Sequence, residues 1–209
     1  LVTFIRVTTN KPELFILESA IKKGQVIANV ELNFDKSGKI KKDYKISAIL
    51  KDGKIGLSNN YNFEKINFFL DIKDNILKFE DLSFITNQTE FFSDKLKITQ
   101  NNKDFLFVGE IENQNTTLND GLLKLLNLDS EYLNFLNTNF NSKNVFSFNV
   151  NKKFKIKNLV IDSEILINKS EFQKPDLFDK YLYETNDLIY IEGHKIKTTY
   201  KKNNFTAKG

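Results

Sequence analysis

Few side chains in this sequence could act as catalysts or metal ligands. The 209-residue chain has no Cys and a single His, His194, in the stretch IEGHKIK. The lack of Cys excludes disulfides, thiolate zinc sites and cysteine nucleophiles, and one His excludes most catalytic triads and multi-histidine metal sites. His194 follows Gly193 and precedes alternating Lys residues. We therefore interpret it as an exposed strand residue rather than a catalyst or ligand.

Carboxylate pairs are the other candidates for acid and base chemistry. Glu80 stands beside Asp81, and Asp129 is close to Glu131. Carboxylates that exchange protons need a shaped pocket that separates their pKa values, and solvated turn and edge charges explain these pairs more simply. The eight glycines are scattered and form no phosphate-binding loop. The sequence therefore predicts a protein that is not an enzyme, with no metal site and no cofactor.

The distribution of charge and apolar residues excludes two further classes. The net charge is +4, but the 31 basic and 27 acidic residues are interspersed, with no basic run longer than Lys-Lys. A nucleic-acid interface needs a concentrated basic patch, so no nucleic-acid partner is expected. No stretch reaches the ~18 apolar residues of a membrane span. The chain starts at Leu and contains no Met, so we expect a soluble internal fragment of a longer protein.

The main positive signal is period-two alternation of apolar and polar residues, which places alternate side chains on one face of a β-strand. In QVIANVELNF the even positions from Val26 to Phe34 are apolar. After the turn DKSGK, the stretch DYKISAILK repeats the pattern. Asp52-Gly53 then predicts a hairpin turn, because Gly tolerates positive φ.

The same pattern continues along the chain with two interruptions. KINFFLDI and ILKFEDLSFIT alternate around the turn KDN, and a change of phase near Glu80-Asp81 predicts a β-bulge. Leucines at helical spacing predict a helical insert over residues 119–137, with Asn119 or Asp120 as the N-cap. Pro175 predicts the start of a short helix, PDLFDKYLYE. The remaining segments are strand-like.

These patterns predict a mainly β fold. We expect an antiparallel meander of hairpins that forms a curved, groove-like sheet, with the short helical insert. The predicted organisation is a β-meander over residues 1–113, the insert over 114–140 and a second β-rich segment over 141–209.

The stretch from IKKGQVIANVELNF through DYKISAILKDGKI, KINFFLDIKDNILKFEDLSFITNQTEFFSDKLKI and DFLFVGEIEN resembles the AsmA-like family of TamB- and YhdP-type proteins. The resemblance covers about residues 20–113. It implies a Gram-negative periplasmic protein that is anchored in the inner membrane through a flanking segment and serves outer-membrane biogenesis, with envelope proteins as partners. It also implies that phospholipid passes between the two membranes along an apolar β-sheet groove. The residues expected to line that groove are Val26, Ala28, Val30, Leu32, Ile46, Ala48, Leu50, Ile66, Phe68 and Leu70.

The 20 Phe and 7 Tyr residues leave a second interpretation open. They could fill the closed core of a β-sandwich in a structural or adhesive domain of a secreted or surface protein. The sandwich predicts apolar faces buried against a second sheet, whereas the groove predicts apolar residues that solvent or a ligand can reach.

Overall fold

The fold consists almost entirely of β-strands. The computed structural model describes residues 21–39, 41, 44–58, 61–101, 104–125, 135–151, 153, 155–173 and 188–209. The strands are β1 Ile21–Glu31, β2 Lys45–Ser58, β3 Tyr61–Lys73, β4 Ile76–Thr86, β5 Thr89–Ser93, β6 Leu96–Gln100, β7 Asp104–Thr117, β8 Phe135–Asn151, β9 Ile156–Gln173, β10 Leu188–Lys201 and β11 Asn204–Lys208. Among the described residues there is also one short helix, α1, at Asp120–Leu125.

All eleven strands belong to one antiparallel sheet, which confirms the predicted fold class. The order is β1-β2-β3-β4-β5-β7-β8-β9-β10-β11, and β6 pairs with β4 and β7 beside β5. Within the described part of the chain, the elements in extensive contact are all hydrogen-bonded neighbours. Among the described residues the sheet is therefore a single layer, with β1 and β11 at its two ends.

Bulges interrupt several strands at residues that tolerate positive φ. Asp81 has a φ of 50°, and the pairing of β3 with β4 shifts at this point. The predicted bulge at Glu80-Asp81 is thus confirmed. Such bulges bend a strand and increase its twist, so they curve the sheet.

The predicted hairpin at Asp52-Gly53 is wrong. β2 runs without a turn from Lys45 to Ser58, and Asp52 has a φ of 51° inside it. The pairing with β3 shifts between Leu50 and Gly53, so the dipeptide forms a bulge. Asp-Gly is compatible with a hairpin turn and with a bulge, because each needs a residue in the left-handed region of backbone conformation. Gly53 also lacks room for a side chain, since an added Cβ would lie 3.1 Å from Ile66 Cβ.

The helical prediction for residues 119–137 is correct at its start and wrong at its end. Asn119 caps α1, because its Oδ1 accepts a hydrogen bond of 2.9 Å from the backbone N–H of Leu122. Residues 126–134 lie outside the described residues. From Phe135 onward the chain is strand β8, because pairing with β7 and β9 outweighs the helical spacing of the leucines.

The sheet is continuous across the segment expected to separate two β-rich regions. β7 extends to Thr117 and pairs with β8 from Asp104↔Asn151 to Thr117↔Asn139. Strands before and after α1 therefore share one hydrogen-bonded ladder. The short helix predicted at Pro175 lies outside the described residues, as do Asp129 and Glu131.

Candidate functional site: the apolar face of the sheet

One face of the sheet carries an unbroken row of uncharged, mostly apolar residues that crosses ten strands. Each member is the direct cross-strand partner of the next, so their side chains project to the same side. From β1 to β11 this long row consists of Ala28, Ala48, Leu70, Phe79, Leu96, Gly109, Phe146, Ile161, Tyr200 and Phe205. Nine inter-strand steps of ~4.8 Å give the row a length of roughly 43 Å.

A second apolar row runs beside the first over seven strands. Its members are Val30, Ile46, Ile72, Leu77, Ile98, Phe107 and Phe148. Aromatic rings on this face contact one another, with ring centroids 4.8 Å apart in the stacked pair Phe107–Phe148 and 5.1 Å apart in the edge-on pair Phe68–Phe79. The two rows form a continuous strip of hydrocarbon across the sheet, and we call this side the apolar face.

Charged residues around these rows point to the opposite side. Lys78 stands between Leu77 and Phe79, and Lys97 stands between Leu96 and Ile98. Because successive side chains in a strand alternate, the lysines project away from the apolar face. We call the side that carries them the charged face.

Ion pairs cross between strands on the charged face. Lys54 Nζ lies 2.5 Å from Glu64 Oε1, and Lys197 Nζ lies 2.6 Å from Glu164 Oε1. The hydrogen bond and charge of Lys54 lower the pKa of Glu64, and Lys197 acts in the same way on the pKa of Glu164. These pairs are exposed, so each contributes little to the stability of the fold.

A central lysine joins two strands of the charged face. Lys143 Nζ lies 2.5 Å from Glu112 Oε1 and 3.2 Å from Glu110 Oε2. Hydrogen bonds to Glu112 and Glu110 raise the pKa of Lys143. A shallow depression of about 280 Å³ here is lined by residues of four strands, and charged residues such as Glu112, Lys143 and Glu164 alternate in its lining with neutral ones.

Nine of the ten groove residues expected from the sequence lie on the apolar face. Ala28, Ala48 and Leu70 belong to the long row, and Val30 and Ile46 belong to the second row. Val26, Leu50 and Phe68 are consecutive cross-strand partners, and each lies two residues from a member of the long row, so they share its face. Ile66, which pairs with Gly53, lies two residues before Phe68 and therefore also projects to this face. The tenth residue, Leu32, lies just beyond the end of β1 and is 39% exposed.

The nine residues differ in how much surface they offer. Val26 and Val30 on the edge strand are 48% and 41% exposed, whereas Ile66 is 5% exposed and Ala48 9% exposed. Val26 and Val30 can therefore contact a ligand directly. Ile66 and Ala48 support the face from within the layer of side chains.

Polar residues interrupt the apolar face on its β7–β10 side, and sequence reasoning did not find them. They are neutral, and each lies two or four residues along its strand from a member of the long row. We call this set the polar strip: Asn113, Ser142, Asn144, Ser163 and Thr198. The signal available in the sequence was that Asn113 and Asn144 break the apolar alternation of FLFVGEIEN and NVFSFNV.

The helix α1 lies against one end of the β4–β5 hairpin. Asn87 Nδ2 donates a hydrogen bond of 2.9 Å to the carbonyl oxygen of Gly121. Leu122 and Leu123 are 4% and 7% exposed. Nearly all the surface of these two leucines is buried, so α1 is packed onto the sheet rather than extended into solvent.

The described residues first considered for catalysis lie on two separate strands. His194 is exposed within β10, and Glu80 and Asp81 are exposed in β4. No group of three or more His, Cys, Asp or Glu residues able to hold a metal ion occurs among the described residues. In that same part of the chain, no helix has the length and apolarity needed to cross a bilayer.

Comparisons with protein-family models, with curated proteins and with solved structures each returned no match for this chain. The geometry of the sheet is therefore the basis for a functional proposal.

Proposed function

We propose that this chain is a segment of a periplasmic, AsmA-like protein that carries phospholipid along the apolar face of its sheet, between the inner and outer membranes. The observation that carries the proposal is the long row, which is unbroken over ten strands and roughly 43 Å long. That length exceeds the ~30 Å hydrocarbon core of a bilayer, which holds two acyl chains end to end.

The chemistry of the two faces supports a lipid as the occupant. An acyl chain gains ~0.8 kcal/mol for each methylene that it buries, and it needs no exact polar contact. The rows offer aliphatic and aromatic side chains, while the lysines between their members project to the charged face. A lipid tail therefore meets no charge along the rows, and the charged face can remain in water.

The single-layer architecture favours this proposal over an adhesive β-sandwich. A sandwich would bury its apolar face against a second sheet, whereas the described strands all belong to one sheet. Only six hydrophobic side chains of the described residues are buried, and several on the apolar face, such as Val26 and Val30, remain over 40% exposed. These side chains leave apolar surface that a ligand can cover.

A titration with a phospholipid that carries a fluorophore on one acyl chain tests the proposal. We expect saturable binding, with a blue-shifted emission because the fluorophore leaves water. Unlabelled phospholipid should compete, and a glycerophosphodiester without acyl chains should not. Absence of saturable binding, or equal competition by the headgroup compound, would contradict the proposal.

A further inference from the structure

The strand β1, at one end of the sheet, is open along its outer side. Among the described residues it pairs only with β2. Residues 22–31 are all exposed, and Ile27 on the charged face is 73% exposed. The backbone N–H and C=O groups of β1 that point away from β2 are therefore available to hydrogen-bond a further strand.

Most of β1 lacks the features that protect an edge strand from pairing with another chain. Such protection comes from Lys or Pro on the strand, or from a very short strand. The stretch QVIANV, Gln25–Val30, contains no charge and no Pro. By contrast, β11 at the other end of the sheet has five residues and ends at Lys208. The end of the sheet at β1 is thus the one suited to strand addition.

The charges of β1 are complementary in one antiparallel register of the strand with itself. When Ile27 lies opposite Ile27 of a second copy, Lys23 lies opposite Glu31 on both sides of the two-fold axis. Opposite charges on facing strands attract each other. The neighbouring registers that keep the two faces matched, centred on Val26 or Ala28, do not place these charges opposite each other.

Both charged side chains are able to form this contact. Lys23 forms no ion pair among the described residues. Glu31 Oε2 lies 3.6 Å from Lys45 Nζ within the chain, and the Glu31 side chain is 63% exposed. A carboxylate has two oxygens and accepts several hydrogen bonds, so Glu31 can contact Lys23 of a second copy as well.

The same register keeps the apolar faces of the two copies on one side. Directly opposed residues of an antiparallel pair project to the same side. Val26 of one copy lies opposite Ala28 of the other, and both residues belong to the apolar face. The apolar face of one copy therefore continues into that of the second, with no charge between them.

We propose that β1 is a dimer interface at which it pairs antiparallel with β1 of a second copy of this chain. Ile27 packs against Ile27 on the two-fold axis, with a Lys23–Glu31 ion pair on either side. Backbone hydrogen bonds and covered apolar surface supply most of the affinity, and the exposed ion pairs select the register. The inference depends on the edge of the sheet and not on lipid binding, so its test is independent of the proposed function.

Sedimentation equilibrium over a range of concentrations tests the interface, and the wild-type chain should form a dimer. Ile27→Lys should raise the dimer dissociation constant about tenfold, because two like charges then face each other and the Ile–Ile contact is lost. Ile27→Glu should have the same effect. An equimolar mixture of the two variants should recover most of the affinity, because opposite charges then face each other. Ile27 is 73% exposed, so both variants should fold.

Val145→Lys is the matched control. Val145 is 46% exposed on the charged face of β8, six strands from β1 and between Glu110 and Asp162, so the added charge should leave the dimer unchanged. A wild-type chain that stays monomeric at every concentration would overturn the inference. A dimer that Ile27→Lys leaves intact, or an open series of larger oligomers, would also overturn it, since the first places the interface elsewhere and the second indicates head-to-tail pairing.

Discussion

Leu70→Asp should weaken phospholipid binding about 100-fold. Leu70 lies in the long row between its cross-strand partners Ala48 and Phe79. A carboxylate there would face the acyl chain, and three to four methylenes would lose their apolar contact at ~0.8 kcal/mol each. Because 1.4 kcal/mol corresponds to a tenfold change in affinity, a loss of about 3 kcal/mol gives this factor. The labelled-phospholipid titration measures it.

Phe69→Asp is the matched control for this change. Phe69 adjoins Leu70 in β3 but faces the opposite side and is 47% exposed, so the affinity should remain within about twofold of wild type, as expected for a residue outside the contact. Ala28→Asp supplies a second test at the exposed edge of the row, where loss of the fold is not a concern. If Leu70→Asp and Ala28→Asp both fold and bind as wild type does, the long row is not the binding surface.

Ile66→Ala should lower the free energy of unfolding by about 3 kcal/mol, within the range for buried large-to-small substitutions. Ile66 is 5% exposed and is one of only six buried hydrophobic residues among those described. It pairs with Gly53 at the bulge of β2, and a smaller side chain would leave a cavity beside that bulge. Urea denaturation followed by circular dichroism measures the change.

Val108→Ala provides the comparison for stability. Val108 lies in β7 on the charged face and is 42% exposed, so its truncation should cost less than ~1 kcal/mol. A loss at Ile66 no larger than the loss at Val108 would contradict the view that a few buried side chains stabilise this single-layer sheet.

Alternation in the sequence was sufficient to predict the fold class and much of the apolar face. Val26, Ala28 and Val30 alternate with polar residues, and one buried or ligand-facing side explains that pattern. The bulge at Asp81 was also predictable, because it reverses the phase of alternation within one strand. These features depend on residues that are neighbours in the sequence, so one sequence is enough to predict them.

Features that depend on pairing between distant strands could not be predicted. Asp52-Gly53 permits both a turn and a bulge, and the pairing of β2 with β3 selects the bulge. Strand β8 likewise begins at Phe135, inside the predicted helix, because this part of the chain pairs with β9. The polar strip joins Asn113 to Ser142, and only the β7–β8 register brings these side chains together.

The most direct test of the lipid-carrying proposal is native mass spectrometry of the chain after purification from a Gram-negative periplasm, with extraction and identification of bound lipid. The proposal predicts that the folded chain retains phospholipid and that Leu70→Asp loses it while Phe69→Asp does not. A folded chain that carries no lipid, and that binds no acyl-chain probe when one is added, would contradict the proposal.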